Sequence, residues 1–232
     1  MARKKRRRFA EVKSLSNCFD RDDVGPGGQW VRDFFGGDRP LILELGCGKA
    51  EYTLALADRF PGHDIVGIDR RSDRFWRAAR EALSHSISNV AFLRADIADL
   101  GLYFDEGQVD TLWIPFPDPR PKRRQAKHRI LGRPFLAMYR RILAPDGEVH
   151  VKTDDSDTVE FLLDEIAAAG GQVKVENRDI HQTRGGDELL DVATTFEKRH
   201  LERGRNIQYV SFTWRSGPGD SGELKAAGRG RS

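Results

Sequence analysis

Four acids stand out by position. Glu44, Asp69, Asp96 and Asp118 each lie at or just beyond the end of an apolar, strand-like run. In α/β sheets, ligands bind outside the carboxyl ends of strands, so carboxylates there face whatever is bound. The first belongs to the turn LELGCGKAEYT, where Gly46 and Gly48 let the backbone turn tightly and a ligand lie close. The turn is not a full dinucleotide fingerprint, because Glu51 takes the third glycine position of G-x-G-x-x-G. Carboxylates at Glu44 and Glu51 would repel a pyrophosphate at the helix N-terminus and favour a cationic amino group. Asp69 is placed to accept hydrogen bonds from ribose hydroxyls, and Asp96 could hold an adenine edge. Ammonium, ribose and adenine together describe S-adenosylmethionine better than NAD. Any one of these acids is equally read as a cap or surface charge; their falling at successive strand ends favours a site.

The fourth acid sits in VDTLWIPFPDPRPKRRQAKHRILGR, residues 109–133. Val109–Ile114 reads as a buried strand, which prolines at 115, 117, 119 and 121 must end. The loop beyond is stiff and carries one carboxylate, Asp118. From residue 119 to 145 there are nine Lys or Arg and no acid, and residues 3–8 hold six more. Since the net charge is only +3, the rest of the chain is acidic. Cationic charge gathered into two blocks makes a polyanion, nucleic acid, the leading partner, although a short basic arm alone is often merely solvated.

The elements that must position these residues follow from periodicity. At 232 residues, 38% hydrophobic and 32% charged, the chain suits one domain with a substantial core. No apolar run approaches a membrane span or a signal peptide, and Cys18 and Cys47 are too few for a disulfide framework. A cytoplasmic protein is expected, with no membrane association. The six histidines lack the paired spacing of a zinc site, and no metal is expected. Strands are predicted at 41–45, 65–68, 90–93, 109–114, 148–153, 173–175 and 207–213. Helices are predicted over 49–60, 72–87, 134–143 and 155–169, with a short one near Trp30–Phe35. Strand and helix alternate, so the fold class is α/β: a doubly wound, mostly parallel, seven-stranded Rossmann-like sheet with helices on both faces. Residues 1–20 are expected to form a flexible basic arm, 21–214 a single domain, and the Gly-rich 215–232 a disordered tail.

FPDPRPK with the basic run after it, VKTDD at 151–155, and TTFEKRHLERGRNI at 194–207 resemble the bacterial tRNA (guanine-N7-)-methyltransferases, over most of residues 41–212. The resemblance implies a class I methyltransferase fold, with Glu44, Asp69, Asp96 and Asp118 on S-adenosylmethionine beside Gly46 and Gly48. It makes Asp118 the active-site acid. Lys122, Asp154, Thr194, Thr195, Phe196 and Glu197 become substrate contacts. The family's loop usually has Trp where this chain has Arg120, although Arg also stacks on bases. As a monomer or homodimer, the protein would hold tRNA through the basic residues of 1–8 and 120–133; Lys122, Arg123, Arg124, Lys127 and Arg129 would contact phosphates.

The implied reaction places a methyl group on N7 of a variable-loop guanine. N7 carries a lone pair and no proton, so alignment rather than a general base should dominate. Asp118, Asp154 and Glu197 are the candidates for accepting from guanine N1 and N2. Rival readings are a methyltransferase of another RNA position, a non-catalytic RNA-binding protein on the same fold, and a nucleotide-dependent oxidoreductase. The missing glycine disfavours the last.

Overall fold

The structure, a computed structural model, describes residues 2–120, 125, 128–182, 190, 192 and 194–214. Alternating runs give β2 (Leu41–Leu45), α3 (Glu51–Arg59), β3 (Asp64–Ile68), α4 (Ser72–Ser84), β4 (Val90–Arg94) and β5 (Val109–Pro115). There follow α5 (Arg133–Ile142), β6 (Leu143–Thr153), α6 (Ser156–Ala168), β7 (Gln172–Asn177), α7 (Thr195–Leu201) and β8 (Gln208–Thr213). Ahead of them lie α1 (Ala2–Val12), β1 (Cys18–Asp20) and α2 (Gln29–Phe35). The sheet has eight strands in the order β1-β4-β3-β2-β5-β6-β8-β7, parallel except where β8 runs between β6 and β7.

Period-two alternation assigns each strand's side chains to two cores. On β2, Leu41, Leu43 and Leu45 face the layer built by α2, α5 and α6, while Ile42 faces the one built by α1, α3 and α4. Glu44 shares the second face. Strand order reverses at β2, with β3 on one side and β5 on the other. The crevice at their carboxyl ends is the switch point where such sheets bind ligands.

Two expectations need correction. The sheet has eight strands, not seven. The eighth, β1, lies inside the stretch expected as a free arm and pairs in parallel with β4, Cys18 opposite Phe92 and Asp20 opposite Arg94. Three residues carry no readable pattern; a two-pronged ion pair from Arg94 Nε and Nη2 to Asp20 at 2.8 and 2.7 Å fixes the strand. The basic block ahead of it is helical and docked. Val12 is buried in the core beside α4, the Arg8 guanidinium of α1 lies 4.8 Å from the Trp76 ring of α4, and Arg80 of α4 pairs with Glu11 of α1 at 3.4 Å. The expected tail, residues 215–232, lies outside the described residues. Among those described, no helix is long and apolar enough to cross a membrane.

Candidate active site

A cavity of about 470 Å³ opens at the carboxyl ends of β2 and β5. Its floor is the turn after β2. Gly46 and Gly48 hold φ of 75° and 56°, the left-handed region that side chains resist. Nothing lies within 4 Å of where a Gly46 Cβ would stand, so the glycine is required by conformation, not by crowding. Gly46 N and Cys47 N donate to Ile68 O at 2.8 and 3.0 Å, and Gly48 N to Asp69 Oδ2 at 3.1 Å. Asp69 thus clamps the turn from the end of β3, and its other oxygen accepts from Arg71 N at 2.8 Å.

Glu44 reaches the cavity from β2 at only 2% exposure. Thr53 Oγ1, one turn into α3, donates to its carboxyl. Burial outweighs the hydrogen bonds that the Thr53 hydroxyl and backbone supply, and pushes Glu44 up to about 8. Burial thus favours the protonated form of the group at neutral pH. Glu51 behaves in the opposite way. Burial works to raise it as well, but Thr195 N and Oγ1 both donate to it, Lys49 and Lys198 lie near, and the carboxyl is held below its usual range.

The opposite wall is α7 and the segment before it. Thr194, Thr195, Phe196 and Arg199 line the cavity, facing Pro115 and Phe116 of the central loop. Thr194 caps α7, its hydroxyl accepting from Glu197 N at 3.2 Å. Phe196 is 48% exposed; its ring centroid is 5.1 Å from that of Phe116 and 4.3 Å from that of His200.

The central loop divides this cavity from a second cleft of about 430 Å³, lined by Pro117, Asp118, Pro119, Arg129, Asp155 and Phe161 among others. Two non-glycine residues at positive φ bracket it, Phe116 at 53° and Arg120 at 43°. Asp118 lines this second cleft and not the first. Its side chain is 70% exposed, and its partners among the described residues are Arg120 N at 3.4 Å and Arg120 Nε at 3.5 Å.

Asp118, expected on the cofactor, lines the second cleft and not the first cavity; most of the other predicted residues fall into three groups. Glu44, Gly46, Gly48, Thr194, Thr195 and Phe196 share the cavity. Asp69 and Asp96 lie beside it at neighbouring strand ends. Asp96 caps a short 3-10 helix through Ala98 N at 3.1 Å and pairs with Arg70 at 3.4 Å. Asp154 and Glu197, expected on substrate, are engaged inside the protein. Asp154 Oδ2 lies 2.6 Å from His200 Nδ1 and also takes Arg205. Glu197 is fully buried, 2.9 Å from Lys152 Nζ and 3.2 Å from His181 Nε2. Lys122, Arg123, Arg124 and Lys127 lie outside the described residues. Arg129, expected on phosphate, donates from Nε to Arg120 O at 3.1 Å while its guanidinium stacks on Phe161 at 4.7 Å. It braces the loop.

Sequence reasoning missed Tyr52, Phe116 and Arg199 as lining residues and Lys152 as the partner of Glu197. Phe116 carried a signal in its place in the proline loop, and Lys152 and Arg199 in the VKTDD and TTFEKRHLERGRNI motifs; Tyr52 carried none. The cavity residues fit a ligand that brings a cation to Glu44 and lies against bare backbone at Gly46 and Gly48, with no helix N-terminus left clear of acid for a pyrophosphate.

A family model described as "Putative methyltransferase" matches residues 38–210. The tRNA (guanine-N(7)-)-methyltransferase of Porphyromonas gingivalis is 41% identical over 187 residues, covering 80% of this chain and 75% of that protein. That of Christiangramia forsetii is 35% identical over 219 residues, covering 91% and 98%. Among solved structures, the 16S rRNA methyltransferase KamB superposes with a TM-score of 0.61 at 14% identity, over 81% of this chain and 92% of that one. A 16S rRNA (adenine(1408)-N(1))-methyltransferase from Catenulisporales acidiphilia, solved with cosubstrate SAM, gives 0.59 at 15% identity, over 83% and 92%. At such identities the structural likeness speaks for the fold alone. The sequence likeness, running from the glycine turn through the proline loop to β8, does more, and the chain belongs to the tRNA (guanine-N(7)-)-methyltransferase family.

Proposed function

We propose that the protein transfers a methyl group from S-adenosylmethionine to N7 of a guanine in the variable loop of tRNA. The observation that carries this reading is the pairing of a proton-holding Glu44 with the bare glycine turn in one cavity, in a chain of this family. Glu44, Gly46 and Gly48 would hold the amino-acid end of the cofactor, and Asp69 and Asp96 its ribose and adenine. When bound, it supplies an electrophilic methyl on a sulfonium; the N7 lone pair forms the new N–C bond as the S–C bond breaks, leaving a neutral thioether and a cationic base.

The residues of this chain then have three tasks. Glu44 gives up its proton to meet the cofactor's ammonium. Phe196, half-exposed at the cavity edge with Phe116 and His200 behind it, offers a ring face for the guanine. Asp118 accepts from guanine N1 and N2 and offsets the charge N7 acquires. Of the three acids considered for that role it alone is exposed, with Arg120 Nε 3.5 Å away on the same loop; Asp154 and Glu197 are turned inward onto Arg205 and Lys152. No group is needed to take a proton from N7. Basic residues of 1–8 and 120–133 would hold phosphates, giving affinity that falls with salt.

Labelled methyl transfer to unmodified tRNA tests the proposal, with the product mapped by strand scission selective for N7-methylguanine. Label at a variable-loop guanine is expected, reduced about 100-fold or more in kcat by Asp118→Ala with tRNA affinity retained. Label at another position would move the substrate, and tight tRNA binding without transfer would make this a binding protein.

A further inference from the structure

The side chain of Lys152 has no exposed surface, yet it lies at the centre of the site's construction. It stands near the end of β6, opposite Pro115 of β5 and Tyr209 of β8. Its ammonium donates to Glu197 Oε2 at 2.9 Å, to Leu190 O at 3.0 Å and to Val192 O at 3.3 Å. Those acceptors belong to α7 and to the chain leading into it. Its backbone carbonyl accepts from Phe116 N at 2.7 Å, at the residue whose positive φ starts the central loop. Its Nζ also lies 5.5 Å from the centroid of Tyr52, which lines the cavity from α3. Three walls that come from distant parts of the sequence thus converge on one residue.

We propose that Lys152 is a positioning residue for methyl transfer: it ties α7 to the central loop and so sets the width of the cofactor cavity. It touches neither cofactor nor base. A buried ammonium with three acceptors is rigid, because each bond it could lose has no water to replace it. Thr194, Thr195 and Phe196 owe their place in the wall to that rigidity. The inference rests on the proposed reaction only for its kinetic consequence; the structural consequence stands without it.

The test uses Lys152→Met, the double variant Lys152→Met/Glu197→Gln, and the wild type as full-length proteins. The double variant is included because the single one leaves Glu197 buried without its cation and can unfold. Hydrogen exchange without any ligand reads the tie directly. The expected result is faster exchange confined to residues 190–201 and the 116–120 loop, with β2, β3 and β4 unchanged. Calorimetry should show S-adenosylmethionine bound about tenfold more weakly. In turnover kcat should fall about 100-fold, while tRNA affinity and its salt dependence stay at wild-type values. Unchanged exchange in α7 of a folded double variant, with unchanged cofactor affinity, would overturn the proposal. So would a loss confined to tRNA affinity, which would put Lys152 and Glu197 on the RNA side. If the wild type methylates no tRNA, exchange and calorimetry still decide the role of Lys152.

Discussion

Glu44 and Lys152 serve the same cavity from opposite sides, on β2 and β6, and both are hidden from solvent. Their surroundings differ in kind. Lys152 meets a carboxylate and two carbonyls, so its charge is answered within the protein. Glu44 meets the Thr53 hydroxyl, with Asp69 and Glu51 near enough to oppose its ionisation further. A buried charge whose partner is built in holds the chain together. A buried acid whose counter-charge is missing costs stability when ionised and gains when a cation enters. One side of the cavity is thus finished by folding and the other by binding. That difference also separates Glu44 from Glu51, seven residues on, whose lone pairs are already taken by Thr195.

Glu44→Gln gives the largest effect and can break the comparison. Glu44 binds its proton more tightly folded than unfolded, so its contribution favours folding below the ordinary carboxyl range. That contribution is lost as pH rises toward about 8. Linkage over this interval is worth up to about 5 kcal/mol. In thermal melts at pH 8 without ligand, the variant should be more stable than wild type and flatter between pH 5 and 8. It should also bind S-adenosylmethionine more weakly. In the wild type, cofactor binding releases the Glu44 proton, so affinity should improve between pH 6 and 7.5 by up to about tenfold per unit; the variant should show no such slope. A variant no more stable at pH 8 would mean that Glu44 is ionised and partnered, and the contrast with Lys152 would fall.

Glu51→Gln sharpens the comparison at smaller scale. Because Glu51 is held below its usual range, its contribution has the opposite sign: present above that range and lost as pH falls through it. Removing the charge while keeping the shape should cost about 1 kcal/mol at pH 7, by denaturant titration, and progressively less as pH falls below the ordinary carboxyl range. The smallest effect belongs to the far side of α4. Arg8→Ala removes a cation stacked on Trp76 and should cost only about 0.5–1 kcal/mol, without changing cofactor affinity in calorimetry. A change in cofactor affinity there would show that the cavity responds to the N-terminal helix as well as to its own walls.

How much the sequence disclosed follows from the range of each interaction. The parallel strands and their terminal acids were legible because period-two runs, glycines and prolines are local. Glu44, Gly46 and Gly48 fell where strand-end reasoning put them. β1 was hidden because three residues have no period, and α1 because its docking rests on Val12, one arginine on a tryptophan and one ion pair instead of a long apolar stripe. Lys152–Glu197 and Glu51–Thr195 join residues 45 and 144 apart, with no local sign that either pair meets. Motif likeness marked Asp154 and Glu197 as important without saying that they face inward.

The placement of β8 between β6 and β7 bears on how the protein is made. Residues 208–213 supply both antiparallel ladders of that half-sheet, and among the described residues β7 pairs with no other strand. As the chain leaves the ribosome, β2 through β6 can assemble in sequence. The edge of β6 must wait for residues translated about 55 codons later, and α7 emerges only just before them. A nascent chain can therefore form the glycine turn and retain the Glu44 proton long before it can close a cofactor cavity. Any truncation ahead of residue 208 should leave a fragment with an open sheet edge and half a site.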